Sequence, residues 1–404
     1  MSRYRFLLTA LVAVIGACRE SSSPADTTTV VPVPAMQILG SGSVIVPPWV
    51  AEVAVTGTTA YTTTWSGGAQ ALGNRVDIWD VSGDTPLRVD SLVIQDSVLT
   101  TGDVSVTDDG QIMIVATERD PGRIFIYDIS NPRMPEQLSM FRSDNTRPGV
   151  HTAKLAHVDG KLYAFLSVDP GSGFRARLVI VDLSDPATPK EVYVRLADQP
   201  TYVHDTFVRD GVLFIAEWTD GLIILDVGGL ARGGTITSPV EVGRIVTKDR
   251  HVHNVWWFHD PSTGAKRYAF VGEENQASLF NFTSGDVHVV DLVDPAQPRE
   301  VAFYSGGAGV GTHNFWMDES AGILYAAYYN GGVRAIDVRG DLSVCTESQR
   351  DVLGRCNLGR MAREKGRGLQ GEGDAPVFIW GVHYDNGAVF ASDMLGKLWK
   401  LKGL

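Results

Sequence analysis

Residues Leu178 to Pro189 read LVIVDLSDPATP: a short strand rich in β-branched residues, stopped by an aspartate and followed by an Asp-Pro turn. The pattern recurs along the chain. Its other copies are VDIWDVSGDTP (Val76 to Pro86), IFIYDISNPRMP (Ile124 to Pro135), LIILDVGG (Leu222 to Gly229), VHVVDLVDPAQP (Val287 to Pro298) and VRAIDVRG (Val333 to Gly340). The anchor aspartates are Asp80, Asp128, Asp182, Asp226, Asp291 and Asp337, and GKLWKLKG (Gly396 to Gly403) is a seventh copy without one. Seven units of roughly 50 residues match the period of propeller blades. Asp is expected to satisfy turn amides and so give each strand its stop.

Upstream of each copy lies a hairpin such as VSVTDDGQIMIVATE, AKLAHVDGKLYAFLS or DTFVRDGVLFIAEW, alternating in period two around a glycine turn. A strand rich in apolar residues, such as KEVYVRL or REVAFYS, follows the aspartate turn. Each unit is therefore a four-stranded antiparallel blade, a to d, and blades repeated around an axis bury both faces against their neighbours. The last unit stops after strand c, while Met36 to Val46 precede the first strand a with nothing to pair with. The expected fold is all-β, a single seven-bladed propeller over 36–404, with the N-terminal strand completing the last blade. An open solenoid or two sandwiches are the competing arrangements. The abundance of glycine and proline, 43 and 19 of 404 residues, suits such a chain.

The stretch LVIVDLSDPATP resembles the signature of the LVIVD-repeat family, propellers common among exported bacterial and archaeal proteins. The resemblance implies the fold and says little about activity. Departures are the missing aspartate of the last unit and an insertion at 340–376. Within the insertion, Thr346 to Lys365 reads as an amphipathic helix, with Leu353, Leu358 and Met361 on one side.

The N-terminus carries Arg3 and Arg5, an apolar run from Phe6 to Ala17, and Cys18. The run is short for a membrane span and suits a signal peptide, 1–17. Ile15-Gly16-Ala17-Cys18 resembles the lipobox of bacterial lipoproteins, which implies export and lipidation at Cys18. Arg19 in place of aspartate points to an outer-membrane or cell-surface lipoprotein, and 18–35 reads as a flexible tether. The two remaining cysteines, Cys345 and Cys356, are expected to form a disulfide in an oxidising compartment. A net charge of −12 argues against a nucleic-acid partner.

Four successive units place a histidine at the start of strand a: His151, His204, His253 and His313. Inner strands surround the axis, so four imidazoles can converge at one channel mouth and hold a divalent transition metal, or with carboxylates calcium. Glu52 and Asp103 occupy about the corresponding height in the first two blades, and His251 adds a second imidazole on the strand face of His253. His383 aligns better with His157 and is left out. Glu118, Glu217, Glu273 and Glu274, at the ends of strands b, can join the site or pair with Arg119, Arg123 and Lys266. Trp49, Trp256, Trp257, Trp316 and Trp380 can floor a glycan or peptide site or pack between blades. The structural alternative for the histidines is a repeated hydrogen-bond device.

The G-x-S-x-G, P-loop, H-E-x-x-H and C-x-x-C-H motifs are absent. Two readings follow. One is a non-catalytic, lipid-anchored scaffold that binds a protein, a glycan or its own copies. The other is an envelope metalloenzyme, an oxidase or hydrolase, that uses the histidine cluster.

Overall fold

A computed structural model describes residues 32–66, 71–95, 100–278, 282–370 and 376–404. The signal peptide, Cys18 and the tether up to residue 31 lie outside the described residues. Residues Val33–Leu404 form one unit.

The unit is a seven-bladed propeller of antiparallel sheets. Its innermost strands are Trp49–Thr56, Asp103–Val106, Val150–Val158, Asp205–Arg209, Val252–Trp257, Phe315–Asp318 and Ile379–Asp385. Each lies against the next, and the seventh lies against the first, so the ring is closed. Ile38–Ser43 pairs antiparallel with Lys397–Lys402 and supplies strand d of the last blade, as the chain ends require.

The repeat motif is a strand buried on both faces. Leu178 and Ile180 pack toward the fourth blade, while Val179 and Val181 pack toward the second. Seven such apolar clusters separate neighbouring blades. This is why the motif reads as a continuous apolar run and not as an alternation.

The anchor aspartates all do the same work. Asp80, Asp128, Asp182, Asp226, Asp291 and Asp337 each accept a hydrogen bond from the backbone N–H two residues on, at 2.7–3.1 Å. Asp226 does more: its carboxylate also accepts from Leu230, Arg232 and Gly234. Downstream of every anchor, and in the seventh blade too, strand d carries one unpaired residue. Val89, Leu138, Val192, Val242, Val301, Lys365 and Leu39 are skipped in the ladder. A bulge there increases the twist of the outer strand.

The insertion departs from expectation. Thr346 to Lys365 is not a helix: it holds only a 3₁₀ turn, Glu347–Gln349, and two strands. The disulfide between Cys345 and Cys356, with Cα atoms 6.0 Å apart, folds the segment back on itself. Gly354, at φ +81°, turns it further. Leu358 is buried and Leu353 is largely exposed, so they do not share one apolar face. Cys356–Asn357 adds a parallel strand beside Arg299–Tyr304 in the fifth blade, and Glu364–Gly368 is strand d of the sixth.

Behind the disulfide loop, buried His288 lies between Glu273, at 2.9 Å, and Glu300, at 2.6 Å, and Arg355 also reaches Glu300. Burial opposes a charge on His288, but the two carboxylates outweigh it and raise its pKa to about 9.

Replacing Asp226 by Ala should cost about 2 kcal/mol or more in urea unfolding, because four backbone donors lose their acceptor. Burial works against its charge, but these donors hold its pKa at about 2. That contribution is present above about pH 4 and is lost as pH falls toward 2. The His288 contribution has the opposite sense: it is complete below about pH 6.5 and is lost as pH rises through about 9. Urea midpoints should therefore fall from about pH 7 to 10, and the fall should shrink in His288→Gln.

Candidate metal centre

A polar ring crosses the channel one blade at a time, Glu52, Asp103, Thr152, Asp205, Asn254 and Asn314, and in the seventh blade Gly381 leaves its place to the Glu52 carboxylate. The carboxylates of Glu52, Asp103 and Asp205 each turn back to accept from the next residue's N–H, at 3.0, 2.9 and 2.7 Å, which marks them as equivalent. The histidines stand one position earlier, together with Ala51, Gly102 and Trp380.

Alternation along a strand should send residues one apart to opposite faces. Here register shifts fall at His151, His253 and Trp380. His204 and His313 precede the first residues of their strands. Bulges re-aim side chains in this way beside functional sites. The result is an arc of five rings, His151–His204–His253–His313–Trp380, with successive centroids 4.3, 4.0, 4.1 and 4.5 Å apart.

His151 Nε2 lies 2.9 Å from His204 Nε2. Glu274 Oε2 lies 4.0 Å from His204 Nε2 and 3.6 Å from His253 Nε2. A tetrahedral ion with bonds near 2.0–2.1 Å spaces its donors by about 3.3 Å, so small shifts would bring the His204, His253 and Glu274 atoms onto one ion, with His151 next to His204. The remaining oxygen of Glu274 accepts from the Tyr329 hydroxyl, which fixes the carboxylate. His313 directs Nδ1 at the Trp380 carbonyl, 2.6 Å away.

Two features set the electrostatics. Burial and the neighbouring imidazoles hold the pKa values of His204 and His253 well below the usual range, and burial brings that of His313 to about 3. These rings are neutral ligands in waiting. Burial also opposes charge on His151, yet Asp169, Glu118 and Glu274 outweigh it and raise its pKa. His151 Nδ1 is 3.6 Å from Glu118 and 3.9 Å from Asp169. Glu118 occupies space that a side chain on Gly102 would fill, and accepts from Trp65 Nε1 at 3.1 Å.

Both ring nitrogens of His253, and Nδ1 of His204, are buried without a hydrogen-bond partner. Such orphans are atoms that a bound ion could satisfy.

Residues 173–194 and 201–247 match the model of the LVIVD repeat. The match spans the outer half of the third blade and the whole fourth blade, including His204. No curated protein is similar to the chain.

Several expected residues fall elsewhere. Glu52 and Asp103 do not stand level with the histidines. Asn314 donates to Glu52, and Lys154 Nζ lies 3.7 Å from Asp103 and 3.9 Å from Asp205. Burial, together with the charge of Asp103, raises the pKa of Glu52 to about 7 despite Lys154. His251 does not share a strand face with His253. Positive φ at Arg250 and His251 breaks the alternation, and the His251 ring stacks on Trp218, 5.2 Å away.

Of the strand b acids, Glu118 and Glu274 join the site. Glu217 pairs with Arg195, Glu273 pairs with His288, and Lys266 pairs with Asp210 instead. Trp257 packs between blades against Phe214, 5.4 Å away, and Trp49 packs in the cluster of Phe378 and Met394. Asp169, Trp218 and Tyr329 were not signalled. They lie in loops outside the repeat pattern, and Trp218 covers His204 with a ring stacked at 5.0 Å.

Orphaned polar atoms weaken a core, so His253→Leu should stabilise the protein freed of metal by about 1–3 kcal/mol in urea unfolding. A loss of stability would instead make the imidazole a structural element.

Proposed function

We propose that this protein is a metalloprotein whose channel mouth holds a divalent transition metal through His151, His204, His253 and Glu274, and that it serves metal-assisted hydrolysis. The observation that carries this reading is the convergence of Nε2 of His204, Nε2 of His253 and a Glu274 oxygen from blades four and five, with His151 Nε2 of blade three beside His204, in a buried place where imidazole nitrogens lack partners. Imidazole-rich sets suit zinc and its neighbours better than calcium, which prefers oxygen. We take hydrolysis over oxidation as the reaction to test, because the set would hold a redox-inert zinc ion, and Glu118 and Asp169 flank His151. They stand at its Nδ1 edge, where they would orient the imidazole as a ligand, and burial, the largest influence on each, raises their pKa values; a bound divalent ion would supply the activation of water. His151 is the most exposed of the three imidazoles, so the open side lies there.

The proposal extends to location. A lipid on Cys18 and a tether beyond it would hold the propeller at the cell envelope, and the disulfide supports an oxidising compartment. A second reading, a non-catalytic scaffold for a protein, a glycan or its own copies, draws on the rigid closed ring and on exposed outer-strand residues such as Leu87 and Leu196.

Equilibrium dialysis of the full chain against zinc, followed by elemental analysis, should find about one ion per chain. His204→Ala and Glu274→Gln should lose it while keeping the native circular dichroism. Hydrolysis of a panel of activated esters and phosphodiesters should vanish with chelator and return with zinc. No retained ion in the native protein would reject the reading, and hydrolysis unaffected by chelation would reject its catalytic half.

A further inference from the structure

Below the polar ring the channel opens into a cavity of about 610 Å³ that reaches the opposite mouth. Its walls follow from the period of two. Two residues beyond the ring position, the seven blades present Ala54, Ser105, Lys154, Phe207, Trp256, Trp316 and His383, all of them lining the cavity.

Four of these residues are aromatic and come from consecutive blades. Phe207 and Trp256 have ring centroids 5.2 Å apart, Trp256 and Trp316 are 5.3 Å apart, and Trp316 and His383 stack at 3.6 Å. They form a curved aromatic wall. Ala54 and Ser105, across the axis, are small and leave the space open.

The floor of this cavity is acidic. Glu52 and Asp205 face it with one ammonium between them, Lys154, which also reaches Asp103 behind the wall. The other cation in the wall, Arg209, is already neutralised by Glu319, whose carboxylate also accepts from Trp256 Nε1. Two carboxylates thus meet one ammonium on the floor, and that ammonium is shared with Asp103. An aromatic wall with an acidic base is the chemistry that recognises an alkylated ammonium group, through ring faces and unbalanced charge together. The volume lies within the range of small-molecule sites.

We infer that this cavity binds a small organic cation carrying a substituted ammonium head. The head sits against Trp256 and Trp316, above Glu52 and Asp205. This site lies on the other side of the polar ring from the histidines and does not depend on the metal.

The test is calorimetric titration of the full chain with choline and with 3,3-dimethylbutan-1-ol, which has the same shape without the charge. Choline should bind, with the neutral alcohol at least about tenfold weaker. Glu52→Gln and Trp316→Leu, each verified as folded by thermal melting, should each weaken choline by about fivefold or more. His204→Ala should leave choline binding unchanged. Absence of choline binding, equal affinity for the alcohol, or full affinity in both folded cavity variants would overturn the inference. Loss of choline binding in His204→Ala would likewise contradict the independence of the two sites.

Discussion

A sheet that is apolar on both faces cannot stand alone, and every blade of this molecule is such a sheet. The alternating side chains of Leu178 to Val181 show the constraint in its smallest form: two face one neighbour and two face the other. Stacking blades side by side moves the problem to the ends of the stack, and closing the stack into a ring removes it. The closure is made by hydrogen bonds between the first strand of the propeller and the last, Ile38–Ser43 on Lys397–Lys402. The inner strands, their shared channel and the side chains that meet there all follow from that ring.

The ring also explains where chemistry can arise. Seven inner strands bring seven equivalent positions to one axis, so a residue type repeated in the sequence becomes a cluster in space. Regular alternation alone would allow only every second residue to face inward. The irregular starts of the inner strands let two successive levels face the axis, one of imidazoles and one of carboxylates and amides. Lys154 and its carboxylate partners then separate the histidine mouth from the aromatic cavity. Two chemically distinct sites can therefore share one channel.

Much of this was legible in the sequence, for physical reasons. The repeat could be counted because the same burial and the same aspartate turn recur in each blade. The closing strand could be assigned because one unit lacked a strand and an unpaired segment stood at the other end. The four histidines could be grouped because they hold one place in successive units. What depended on single loops was not legible. Asp169, Trp218 and Tyr329 reach the site from irregular segments with no periodic counterpart. Glu52 and Asp103 were placed one level too high because a register shift cannot be read from residue types. The helix expected over Thr346 to Lys365 gave way to the disulfide and Gly354, which impose a turn where the apolar spacing suggested continuity.

The central claim is that ring closure gathers the imidazoles and Glu274 around one ion. Crystals grown with zinc and measured on both sides of its absorption edge test it most directly. The account predicts a strong anomalous peak about 2.1 Å from Nε2 of His204 and of His253, within bonding reach of Glu274. Well-ordered crystals with no peak between these side chains, or with zinc bound only elsewhere on the surface, would contradict it.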